Sequence, residues 1–253
     1  LQDILDNPKR VKTIIAGELK DVMKKYPSPR RTEIIYEYQT AVEEEAEDDT
    51  PDYPVHVFLS REGYFKKITP QSLRMSGEQK FKEGDGLRQT TSAAEIMFFT
   101  DKCEVYKTRL SEFDDAKASV LGDYLPAKLH MDAGESVVYA VLPGPDYAGA
   151  LLFFFENGKA ARVDLTAYKT TSNRRKLTGA YSDKSPLVTA IHLKEDVELA
   201  LTSTEGRCMI FHTAVLAPKT TRSTQGVGVM TIKKPDKFRL ESVRPLAETA
   251  IQD

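Results

Sequence analysis

One pattern occurs four times along this chain and limits its fold more than any single motif. It consists of an apolar strand, a tight polar turn and a second strand. The copies span Val57–Ile68, Met97–Lys107, Leu152–Val163 and Leu199–Phe211. Their turn positions, Gly63, Cys103, Gly158 and Gly206, are separated by 40, 55 and 48 residues. Three are glycine, as a hairpin turn with positive φ requires. Cys103 breaks the rule and predicts a turn of another type there. Four residues beyond each turn stand Lys67, Lys107, Arg162 and Ile210, so three of the four are basic.

A second landmark follows each hairpin. Gly84, Gly122, Gly179 and Gly226 lie 21, 19, 21 and 20 residues after the turn positions. Polar loops with cations precede or flank them: Lys80 and Lys82, Lys117, Arg174 with Arg175 and Lys176, and Lys219 with Arg222. A further strand-like run follows, as in Val227–Ile232. Units of this size with about four strands match the blades of a β-propeller, in which each hairpin buries its apolar faces against its neighbours. A two-sheet sandwich also suits short strands with frequent turns, but the fixed spacing of the two landmarks favours blades. The chain has no Trp, which argues against repeats with a Trp-Asp signature. Phe58, Phe98, Phe99, Phe154 and Phe155 read as blade core.

The residues before the first copy have a different texture. Asn7-Pro8 reads as an N-cap and first helical residue. Val11, Ile14, Ile15, Glu18, Leu19, Val22 and Met23 then recur at helical spacing, and Pro27 and Pro29 end the run. Ile34-Ile35-Tyr36 begins a β-like segment. After it, only 113–123 and 241–253 suit a short helix. The expected organisation is a helical stalk over 1–29, an acidic linker with a first strand over 30–54, and a β domain over 55–253.

Charge divides at the same place. Residues 1–53 hold 8 Lys and Arg against 13 Asp and Glu, a net of −5, and residues 54–253 hold 28 against 25, a net of +3. The acidic run from Glu43 to Asp52 reads as a solvated, self-repelling segment. A net of +3 supports nucleic-acid binding only weakly. The polar start, Leu1 to Arg10, is not a signal peptide, and without an initiating Met it reads as a fragment of a longer protein. No apolar run approaches the ~18 residues that span a bilayer. Cys103 and Cys208 make neither a disulfide framework nor a metal-ligand spacing, which fits a reducing, cytoplasmic setting.

Catalytic patterns are missing. His56, His130, His192 and His212 stand singly, and Asp48-Asp49 and Asp114-Asp115 have no partner His or phosphate-binding glycine loop. No serine sits in a nucleophile motif. Gly226-Val227-Gly228 lacks the third glycine of a dinucleotide site.

Several segments resemble the C-terminal domain of bacterial type IIA topoisomerase A subunits, the family of DNA gyrase and topoisomerase IV. Arg30-Arg31-Thr32-Glu33-Ile34 looks like that family's exit from its coiled coil. Ser60-Arg61-Glu62-Gly63-Tyr64-Phe65-Lys66-Lys67 is similar to its first-blade pattern. Thr108-Arg109-Leu110-Ser111-Glu112-Phe113 and Arg222-Ser223-Thr224-Gln225-Gly226-Val227 resemble elements of later blades. The resemblance implies a strand-swapped propeller, or β-pinwheel, of about four to six blades that binds and bends duplex DNA on a basic outer rim. It also implies that the fragment is not itself an enzyme and holds no cofactor. The parent would be an ATP-dependent isomerase needing ATP and Mg, its partners being an ATPase B subunit, double-stranded DNA and the remainder of its own polypeptide. The setting would be cytoplasmic and nucleoid-associated. Gyrase's basic, glycine-rich box is broken here: Glu78–Gly86 keeps scattered elements, and the acids Glu83 and Asp85 intrude, which is closer to topoisomerase IV or a divergent relative.

The expected DNA contacts are Lys66, Lys67, Lys80, Lys82, Lys107, Arg162, Arg174, Arg175, Lys176, Lys219 and Arg222, with Lys233 and Lys234 as a weaker patch. The competing expectations are a protein-interaction propeller that binds no DNA and an enzyme with its site at the propeller axis.

Overall fold

The computed structural model describes residues 8–26, 52–75, 86–117, 119–170, 175–233 and 237–249. The chain divides into two compact units, 1–46 and 47–253. In the first, helix α1 (Pro8–Lys25) places Lys24 and Lys25 in its last turn, where cations complement the carboxyl end of the macrodipole. Its apolar stripe of Ile14, Ile15, Leu19, Val22 and Met23 is exposed. Asn7, Pro27, Pro29 and the segment from Arg30 to Tyr36 lie outside the described residues, as does most of the acidic run.

The second unit is built from hairpins. The first repeat supplies β1 (Pro54–Leu59), β2 (Tyr64–Ile68) and, after the short helix α2 (Pro70–Met75), β3 (Gly86–Thr91). The second supplies β4 (Glu95–Thr100) and β5 (Glu104–Arg109), then β6 (Asp123–Tyr124), the one-turn helix α3 (Leu125–Lys128) and β7 (Val137–Val141). β8 (Ala150–Phe155), β9 (Lys159–Asp164), β10 (Lys176–Thr178) and β11 (Leu187–Leu193) make the third. The fourth comprises β12 (Glu198–Ser203), β13 (Cys208–His212), β14 (Val227–Gly228) and β15 (Leu240–Pro245).

These strands form four small antiparallel sheets, in the orders β3-β1-β2-β6, β10-β5-β4-β7, β11-β8-β9-β14 and β13-β12-β15. The fold is mostly β, and four small sheets replace the two large ones of a sandwich. Each of the first three sheets takes its outer strand from the repeat that follows. β6 joins the first hairpin, β10 the second and β14 the third. Among the described residues the fourth sheet receives no such strand.

Hydrophobic packing follows the strand period of two, which sends successive side chains to opposite faces. Phe98 packs with Val57 and Phe65 of the first sheet, while Met97 and Phe99 pack with Leu151 and Phe153 of the third. Leu152 and Phe154 pack with Leu199 and Leu201 of the fourth. Middle sheets are therefore buried on both faces, which explains why β8 reads as the unbroken apolar run Ala-Leu-Leu-Phe-Phe-Phe. The five phenylalanines expected in the core are all buried.

Two expectations need correction. Cys103 adopts φ 58°, and its amide bonds the Thr100 carbonyl, as Gly63 bonds Ser60, Gly158 bonds Phe155 and Gly206 bonds Ser203. It therefore makes the same turn as the glycines and accepts the left-handed strain. The helices fall partly elsewhere. The described part of 113–123 is a loop leading into β6, whereas within 241–253 a strand to Pro245 is followed by the one-turn 3-10 helix Leu246–Glu248, in the range expected for a short helix. Further 3-10 segments close the hairpins at Leu110–Glu112, Leu165–Tyr168 and Thr213–Val215.

Candidate nucleic-acid interface

The segment that carries each donated strand leaves a 3-10 turn and crosses to the preceding sheet. These crossovers span 113–122, 169–175 and 216–226. Each meets the receiving strand close to the residue four beyond its turn. Ala116 donates its amide to the Lys67 carbonyl, the Lys107 amide bonds the Arg175 carbonyl, and the Lys219 amide bonds the Arg162 carbonyl.

This geometry decides what the recurring cations do. Lys67 is 3% exposed and its ammonium lies 3.2 Å from Asp115. Lys107 is 8% exposed and donates to the Tyr168 carbonyl and Thr170 Oγ1 at 3.1 and 3.2 Å, with Glu95 at 3.1 Å. Arg162 pairs with Asp196 at 2.9 Å and also reaches the carbonyls of Thr213 and Leu216. Each cation thus engages the 3-10 turn or crossover of the following repeat. Lys67, Lys107 and Arg162, expected to face DNA, are held by these partners as fasteners between repeats, because unpaired buried charge is costly and these partners supply the pairing. Ile210, in the same place in the fourth repeat, has no such function, and among the described residues no donated strand lies beside it.

Lys66 is half-buried, its ammonium bonded to the Val120 carbonyl at 3.1 Å. Lys176 is drawn into an acidic cluster, with Glu104 at 2.6 Å and Asp132 at 2.8 Å. Hydrogen bonds to Asp132, Glu104 and Tyr106 raise its pKa further. Glu104, Asp132 and Glu135 lie within 4.8 Å of one another, and the Lys176 ammonium already neutralises two of them. Glu135 is buried beneath this pair. Burial alone would raise its pKa, but hydrogen bonds from Thr100, Tyr106 and the Asp132 amide outweigh that and hold it below its usual value of 4.5. A depressed carboxylate stabilises the fold above its unfolded pKa and loses that contribution as pH falls through the folded one. Thermal stability should therefore drop in acid below about pH 4.5, and Glu135→Gln should flatten that drop in melts recorded across pH.

The remaining cations lie on the two later crossovers. Lys219, Arg175 and the unforeseen Lys169 are exposed, and Arg222 is partly so. Lys219 lies beside Val163 of β9, and the Arg222 guanidinium sits 6.0 Å from the Tyr168 ring. Lys169 adjoins Tyr168, and Arg175 meets β5. Neither 169–175 nor 216–226 contains an Asp or Glu. The nearest acid to Arg175 is Glu112 at 3.5 Å, a pair exposed enough to be weak. Lys80, Lys82, Arg174 and Lys234 lie outside the described residues, and Lys233 is exposed.

No family model matches the chain. It is 26% identical over 218 residues to the A subunit of DNA topoisomerase 4 from Bacillus subtilis (strain 168), covering 83% of this chain and 26% of that protein. It is 25% identical over 246 residues to the A subunit of DNA gyrase from Aminobacterium colombiense, covering 93% and 29%. The chain is similar in sequence to the A subunits of both DNA topoisomerase 4 and DNA gyrase. A solved C-terminal domain of DNA topoisomerase IV matches the fold with a TM-score of 0.66 at 21% identity, covering 78% of this chain and 62% of that one. The E. coli ParC C-terminal domain matches with a TM-score of 0.57 at 16% identity, covering 75% and 78%. The chain spans less than a third of the length of the curated topoisomerase A subunits it matches. Among the described residues no helix is long and apolar enough to cross a membrane.

Proposed function

We propose that this chain is a non-catalytic β-pinwheel domain of a type IIA topoisomerase, belonging to its A subunit, whose crossover loops bind and bend duplex DNA. The observation that carries this reading is the set of exposed or partly exposed cations Lys169, Arg175, Lys219 and Arg222, on two crossovers whose own sequences contain no Asp or Glu, in a chain similar to those subunits. Such cations suit phosphates because exposed positive charge neutralises backbone charge and releases counterions, whatever the base sequence. The parent enzyme would be an ATP-dependent isomerase working with an ATPase B subunit in the cytoplasm, and this domain would steer the duplex presented for strand passage. Nothing in the domain's proposed role requires a cofactor.

The test is salt dependence. With about four phosphates neutralised, log affinity should fall with log salt at a slope near −3.6, about a 100-fold loss between 50 and 200 mM. Fluorescence anisotropy on a labelled duplex of mixed sequence measures it. An absence of binding at 50 mM salt would refute the reading.

A further inference from the structure

Resting on that reading, we infer that Leu121 is an apolar wedge, inserted by the first crossover between two base pairs of the bound duplex. Strand register shows which residues correspond. Asp123, Leu177 and Val227 of the three donated strands face Phe65, Val105 and Ala160, each two residues beyond its turn position. Leu121, Arg175 and Gln225 stand two residues before them, so they hold one place on three successive edges. All three are exposed. Leu121 thus occupies the place of Arg175, a cation of the proposed DNA contact, and presents a branched apolar side chain there.

The backbone that carries it is braced on both sides. The Val120 amide bonds the Lys117 carbonyl at 3.1 Å, and the Lys66 ammonium donates to the Val120 carbonyl at 3.1 Å. After Leu121, Gly122 lies so close to β2 that a Cβ there would sit 2.2 Å from the Phe65 carbonyl oxygen. Between these anchors Leu121 is 68% exposed and Val120 50%. A wedge needs an outward apolar side chain on backbone that does not retreat. Leucine in that role enters from the minor groove, unstacks one step and kinks the duplex. The unstacking cost is offset by the protein surface that a bent duplex reaches, which here includes the cations of the later crossovers.

Two labelled duplexes test this by anisotropy with the full chain, one fully matched and one with a central mismatch that weakens its stacking. The unsubstituted chain should prefer the mismatched duplex about fivefold, because unstacking costs least there. Leu121→Ala should bind both duplexes alike, and the matched one about threefold more weakly than the unsubstituted chain does. Its salt slope should not change, since no phosphate contact is lost. Leu121→Met should keep the preference, whereas Leu121→Lys should lose it and steepen the slope by about 0.9. Leu121 is exposed, so none of these changes should move the melting temperature. Equal affinity of the unsubstituted chain for the two duplexes would overturn the wedge although the domain binds DNA. So would a preference that survives Leu121→Ala, the result expected if this apolar face serves a second protein. If the unsubstituted chain binds no duplex, the reading beneath it fails instead.

Discussion

Gly226→Ala should unfold the edge of the third sheet and lower the melting temperature by about 6–12 °C, the shift expected of about 3 kcal/mol in a domain of this size. Gly226 is the point at which the last crossover passes over β9 before entering it as β14. A methyl group added there would lie 2.0 Å from the Ala160 carbonyl oxygen and 2.7 Å from the Ala161 amide nitrogen. Both obstacles are backbone of a buried strand, so neither can swing aside as a side chain would. The residue also has φ 72°, which costs any L side chain about 1 kcal/mol or more. Gly134→Ala is the control. It has φ 75° but open space around it, so it should incur the conformational cost alone and lose only a few degrees. Equal melting of the two variants in calorimetry would show that the close approach is not what limits this position.

Gly122 repeats the arrangement one edge earlier, where a Cβ would lie 2.2 Å from the Phe65 carbonyl oxygen. The two glycines are thus the same device, a bare backbone that lets a donated strand slip beneath its neighbour's hairpin. Their 19- and 20-residue spacing from the turn is visible in the sequence because the hairpin and crossover lengths are fixed by that crossing. Gly179 shares the spacing but not the role. It follows β10 rather than preceding it, and nothing lies within 4 Å of its side. Spacing alone cannot show on which side of a strand a glycine falls.

The hairpins, their order and the buried phenylalanines are legible in the sequence because period-two apolar patterning and turn chemistry are local. Strand donation is not, since two-residue strands such as Asp123–Tyr124 leave no periodic trace. Charge misleads for a physical reason. In a repeat protein any side chain with the same internal task recurs at the same interval, so recurrence marks equivalence of environment and not exposure. Lys169 escapes a reading by recurrence because it precedes the Asn173–Lys176 cluster and repeats nowhere. Its significance comes from Arg222 lying beside the adjoining Tyr168, a contact between residues 54 apart in sequence.

Lys107→Ala should therefore cost stability and leave the DNA affinity of the folded domain unaltered. The ammonium holds the Tyr168 carbonyl, Thr170 Oγ1 and Glu95 together, and it lies 5.2 Å from the Tyr147 ring. Tyr147 donates its own hydroxyl to Glu95 at 2.5 Å. Truncation removes the cation that these groups share and strands a partly buried carboxylate and a buried carbonyl. Breaking a fully buried pair costs about 3–5 kcal/mol, but Glu95 is one-third exposed, so about 2–4 kcal/mol is the fairer expectation after solvent screening. Lys107→Met keeps the apolar stem over Tyr147 and should recover part of that loss, because the stem contributes packing as well as charge. Urea denaturation gives the stability and anisotropy the affinity per folded molecule. A variant that melts normally but binds duplex several-fold more weakly would return Lys107 to the DNA-facing surface and overturn its assignment as a fastener.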